Sequence, residues 1–85
     1  MQKFGEWSRV VTALKLLGWR IAKDEKDKKI LIMGNQRIVL LKFPKNKWKI
    51  IEYERNRLVD SSFEDEEWAK LYLAEIGIAR SVRRV

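Results

Sequence analysis

Apolar side chains between residues 3 and 17 fall at Phe4, Trp7, Val10, Val11, Leu14 and Leu17, with Arg9, Thr12 and Lys15 opposite them. That spacing marks one face of an amphipathic helix. Gly18 is placed to end it, because a glycine just past the last turn takes left-handed backbone at no steric cost and lets Trp19 fold back onto Leu14. Trp19 is therefore expected in the core.

Beyond Trp19 the period changes from helical to two. Strands are predicted over residues 19–23, 28–33, 36–43 and 48–55, with residues 24–27 as a charged loop of both signs. Gly34-Asn35 is the turn of a hairpin, and Pro44-Lys45-Asn46-Lys47 a second turn with proline fixing its first central residue. Ile30 and Ile32 alternate with Leu31 and Met33, and Ile38 and Leu40 with Val39, Leu41 and Phe43, so the sheet is apolar on both faces. In the last strand Glu52 and Glu54 share parity with Trp48 while Ile51 and Tyr53 fall on the other, and a bulge near Ile50-Ile51 would put Trp48, Ile50, Ile51 and Tyr53 into one consistent burial pattern. Leu58-Val59 either extends this strand or packs under the next element.

A second helix is expected over residues 62–76. Ser61 with Glu64 and Ser62 with Asp65 form overlapping capping boxes, and Glu64, Asp65, Glu66 and Glu67 suit the positive end of the helix dipole. Trp68, Leu71, Tyr72, Leu73 and Ile76 are its apolar stripe, and Gly77 its end, with Ile78 reaching back to Leu73. The basic segment 78–85 is expected to dock, as a short C-terminal strand on its own sheet or on a neighbour's. The fold class is α+β: an N-terminal helix, a three- to four-stranded antiparallel meander, a second helix and that short strand, all one domain over residues 1–85.

This order resembles the double-stranded-RNA-binding domain, and it is similar to the restriction-endonuclease-like core of archaeal junction resolvases. The first resemblance implies phosphates held by a basic start to the second helix; here that place reads Ser61-Ser62-Phe63-Glu64-Asp65-Glu66-Glu67, which repels them. The second implies a Mg²⁺ site built from an acid and an E-x-K motif. Leu40-Leu41-Lys42 stands where that motif belongs, and residues 28–51 hold no Asp or Glu. Both resemblances are of element order alone.

Charge adds a direction. The 85 residues carry a net +7, but residues 1–51 hold thirteen Lys and Arg against four acids, whereas residues 52–78 hold three against eight. A molecule with a basic side and an acidic side carries the footprint of a nucleic-acid binder. With neither cysteine nor histidine, thiolate or imidazole metal sites and a histidine base are excluded, and the chain is read as a non-catalytic protein without cofactor or metal. Abundant Lys, Arg, Glu and Ile with two glutamines give a thermophile-like composition. No signal peptide or spanning segment is read, which points to the cytoplasm and away from membranes.

The candidate contacts are Arg37, Lys42, Lys45, Lys47, Trp48 and Lys49, joined by Lys28 and Lys29 and by Arg80, Arg83 and Arg84 of the tail, with Arg20 and Lys23 added if the first strands lie alongside. Lysines on phosphates beside an aromatic ring that stacks on bases are the means by which single strands are bound, so single-stranded DNA or RNA is favoured over duplex. Trp48 has two readings, a stacking ring or a core residue; Tyr53 is a second ring. Glu52 and Glu54 lie on one strand face but lack a third metal ligand. The alternative function is a small protein-binding module, such as a viral or mobile-element inhibitor, using the apolar sheet face or the acidic second helix. An apolar sheet on both sides also predicts a homo-oligomer, most simply a homodimer.

Overall fold

The computed structural model describes residues 6–82. They run α1 (Trp7–Leu16), β1 (Arg20–Asp24), β2 (Lys28–Met33), β3 (Gln36–Phe43), β4 (Lys47–Glu54), β5 (Arg57–Phe63) and α2 (Glu66–Val82). The five strands form one antiparallel meander in the order β1-β2-β3-β4-β5. Both helices lie on the same face, where Val10 and Leu14 of α1 and Ala69 and Leu73 of α2 join Leu31, Met33, Ile38, Leu40, Trp48 and Ile50 in a buried cluster.

α1 ends as the sequence indicates. Gly18 has φ +113°, its amide donates to the Lys15 carbonyl at 3.0 Å, and the Trp19 amide donates to the Leu14 carbonyl at 3.1 Å, which is the paired closure of a Schellman turn. Trp19 is buried at 1% exposure, and its indole donates to the Gly77 carbonyl at 3.0 Å. One contact thus joins the end of α1 to the middle of α2.

Three expectations about the sheet and second helix are corrected. The sheet has five strands, where three to four were expected, because Arg57–Phe63 forms an edge strand in full register with β4. Asp60, Ser61 and Ser62 therefore lie in β5 and cap nothing. The side chain that does cap α2 is Asp65, whose carboxylate accepts from the Glu67 amide at 2.9 Å. Gly77 does not end α2, which continues to Val82, so the short C-terminal strand is replaced by helix as far as the described residues go. A Cβ on Gly77 would meet Leu14 Cδ2 at 2.4 Å; the glycine serves the close approach of two helices and not a terminus.

The bulge expected near Ile50-Ile51 is also absent. β3 and β4 pair without interruption from Gln36↔Glu54 to Phe43↔Lys47, and the irregularity falls in β1 between Ile21 and Lys23. Without a bulge Glu52 faces the helices, at 4% exposure. Arg80 makes that tolerable: its Nε and Nη2 donate to Glu52 Oε1 at 2.9 and 2.6 Å, and its Nη1 to Glu54 Oε1 at 2.7 Å. The Tyr72 hydroxyl donates to the other Glu52 oxygen at 2.5 Å. Burial alone pulls the Arg80 guanidinium down, but the hydrogen bonds and charges of Glu52 and Glu54 more than reverse it, so it is held above its ordinary value. No helix among the described residues is long and apolar enough to cross a membrane.

Candidate nucleic-acid interface

Opposite residues of an antiparallel pair share a face, so the ladder fixes what lies on the side away from the helices. One row across the sheet is Arg20, Ile32, Arg37, Tyr53 and Leu58; the next is Lys23, Ile30, Val39, Ile51 and Asp60. A third contains Lys28, Leu41, Lys49 and Ser62, and Phe43 and Lys47 close the far end. No described element covers this face. Phe43 and Leu58 are exposed at 44% and 59%, and Tyr53 at 36%. Six cations thus stand on it against one acid, Asp60.

Two corners concentrate the polar groups. At the end formed by the β2–β3 and β4–β5 turns, Asn35, Arg37, Tyr53, Arg55 and Asn56 line an open groove of about 620 Å³. The Arg37 guanidinium sits 5.8 Å from the Tyr53 ring centroid, a cation–π geometry that holds the ring with one side toward solvent. Arg55 has φ +50°, which turns the chain back into β5 and sets Arg55 and Asn56 at the rim. At the opposite end, exposed Lys45 occupies the β3–β4 turn with φ +65°.

The expected contacts divide between the two faces. Lys28, Arg37, Lys47 and Lys49 lie on the open face with Arg20 and Lys23, and Lys45 stands at its edge. Lys47 and Lys49 are already paired, to Glu64 at 3.0 Å and Asp60 at 3.5 Å. Lys29, Lys42 and Trp48 are on the covered face. Lys29 is buried and bonded to Asp24 at 2.6 Å, and Lys42 lies 5.5 Å from the Trp48 ring centroid. Trp48 itself is 5% exposed and packs on Trp7, so it is core and offers no base a stacking surface. Arg80 is committed to Glu52 and Glu54, and Arg83 and Arg84 lie outside the described residues.

Asn35, Arg55 and Asn56 are not singled out by the sequence because Gly34-Asn35 reads as turn chemistry, Arg55 as a strand end and Asn56 as a loop, and nothing in the linear sequence brings two turns to one corner. Tyr53 could have been ranked above Trp48 by the parity that its strand partners impose. Among the described residues no cluster of three or more Asp, Glu, Cys or His is arranged to hold a metal ion. Comparison with protein-family models, with curated proteins and with solved structures finds no match for this chain.

Proposed function

We propose that the chain binds single-stranded nucleic acid, without catalysis, on the open face of its sheet. The observation that supports this is the six-to-one excess of cations on a face whose exposed side chains include two aromatic rings. Cations alone bind any polyanion, and rings alone bind any apolar partner; together they match a strand whose phosphates and unpaired bases are both accessible. A duplex keeps its bases stacked inside, where the rings of this face cannot reach them. The strand runs from the groove at Tyr53 and Arg55, where Asn35 and Asn56 supply amide donors and acceptors, across the apolar middle to Phe43 and Lys45.

The test is anisotropy of a labelled oligonucleotide as salt is raised. Affinity should fall steeply with salt, and Arg37→Ala and Lys45→Ala should each reduce the slope by about one. Tyr53→Ala should weaken binding by about 1–3 kcal/mol with little loss of stability. Lys47→Ala and Lys49→Ala should matter less, since those side chains must first leave Glu64 and Asp60. Failure to bind at about 50 mM salt, or affinity indifferent to salt, would overturn this reading.

A further inference from the structure

Lys23, Lys29, Lys47, Lys49 and Arg80 each have a carboxylate partner. Arg37 and Arg55 have none among the described residues, and both line the groove at the β2–β3 and β4–β5 turns. The rest of its lining, Asn35, Tyr53 and Asn56, adds no acid. Glu54, the neighbour of Arg55 in the chain, belongs to the covered face, where Arg80 holds it at 2.7 Å.

The backbone adds a second observation. β4 and β5 close at Glu54↔Arg57, so Arg55 and Asn56 form a two-residue hairpin loop. The first residue of such a loop takes positive φ and is ordinarily Gly, Asn or Asp. Here it is arginine at φ +50°, in left-handed backbone that a long side chain adopts only at a cost. The loop thus holds a guanidinium at the groove against its own backbone preference.

We infer that this groove takes the end of a strand that carries a terminal phosphate monoester, with the last base on the free side of Tyr53, an inference that rests on the single-strand reading of the open face. An internal phosphodiester brings one negative charge. A monoester brings nearly two near neutral pH, with three acceptor oxygens. Two guanidiniums lining one groove without a carboxylate match the monoester, since each can hold two oxygens in a fork. Position in the fold agrees: the groove stands at the rim of the sheet, where two hairpins turn, so a strand crossing the face ends or departs there. With Arg37 at 5.8 Å from the Tyr53 centroid, the ring has one side left, enough for a single base.

The test compares one internally labelled oligonucleotide with a 5′-phosphate, a 3′-phosphate or hydroxyl ends, by anisotropy at about 50 mM salt. At least one phosphorylated form should bind about tenfold or more tightly than the hydroxyl-ended form. That preference should shrink between about pH 7.5 and about pH 5, as the monoester takes its second proton near pH 6; no histidine or carboxylate lines the groove to titrate in its place. Arg55→Gly should bring the preference toward one while the urea midpoint stays at the wild-type value or rises, because glycine suits the loop. Phosphorylated and hydroxyl ends bound equally by wild type would overturn the inference and leave the reading of the face standing, whereas no binding of any form would remove both. A preference that survives both Arg55→Gly and Arg37→Ala would place the monoester elsewhere and overturn it. So would thymidine monophosphate or inorganic phosphate competing as well as the phosphorylated oligonucleotide, which would assign the groove to a free phosphate compound and not to a strand end.

Discussion

The rings of Trp7 and Trp48 lie 5.1 Å apart between centroids, with their planes tilted by 32°. The contact pins the first turn of α1 to the start of β4 and draws Trp48 away from the surface that its flanking lysines suggest. Its indole nitrogen is buried without a hydrogen-bond partner among the described residues, so the ring contributes by packing alone. Trp48→Ala should cost about 3–5 kcal/mol in urea unfolding, and Trp48→Phe, which keeps an aromatic contact with Trp7, substantially less. Oligonucleotide affinity of the folded Trp48→Phe variant should match wild type.

Arg80 answers a similar question in the opposite sense. A free basic arm would lose affinity and keep stability on substitution; this guanidinium is 12% exposed over a carboxylate that is 5% exposed. Arg80→Met should destabilise by about 3–5 kcal/mol, because Glu52 is left as an uncompensated buried charge. Glu52→Gln in the same chain should restore part of the loss. Urea midpoints of the single and double variants measure the coupling.

Tyr72 supplies a pH dependence. Burial raises its hydroxyl above the ordinary 10.0, and the hydrogen bond and charge of Glu52 raise it further against smaller opposing effects of Ser61 and Arg80. A group whose folded pKa is raised binds its proton more tightly when folded, so its stabilisation is full below pH 10.0 and disappears as pH rises through the folded value. Stability measured above pH 10.0 should fall more steeply in wild type than in Tyr72→Phe, with Tyr53→Phe as the control for a tyrosine on the open face. At neutral pH Tyr72→Phe should cost about 1–3 kcal/mol through the unsatisfied Glu52 oxygen.

What the sequence made legible was local. The periods of α1, β2 and β3, the Gly18 closure, the buried Trp19 and the antiparallel meander all follow from side-chain spacing or one special backbone angle. What it hid depended on a partner distant in the chain. Glu52 looked like an exposed strand residue because Arg80, 28 positions later, is what permits its burial. β5 was hidden because Asp60, Ser61 and Ser62 carry cap chemistry, yet β4 offers an open edge that any extended segment can complete. The candidate face suffered similarly: the run around Trp48 is dense in lysine, but alternation sends Lys42 and Trp48 to one side and Lys47 and Lys49 to the other. Linear density of charge does not survive pleating.

Gly77 shows the same dependence, and its substitution separates two effects of opposite sign. In the interior of a long helix alanine is favoured over glycine by about 1 kcal/mol, so on local grounds Gly77→Ala should stabilise. A methyl at that position, however, would stand 2.4 and 2.8 Å from the two Leu14 methyls and 3.1 Å from Cγ. Leu14 is 1% exposed inside the core cluster, so it cannot swing aside without displacing its neighbours. The Trp19 hydrogen bond to the Gly77 carbonyl would stretch if α2 moved away from α1 instead. Overpacking of this kind costs about 1–3 kcal/mol, enough to outweigh the propensity gain. Gly77→Ala should therefore lower the urea midpoint, and Leu14→Ala in the same chain should make the alanine at 77 neutral or favourable while carrying its own cavity cost. A Gly77→Ala single variant more stable than wild type would mean that α1 and α2 separate readily along this contact.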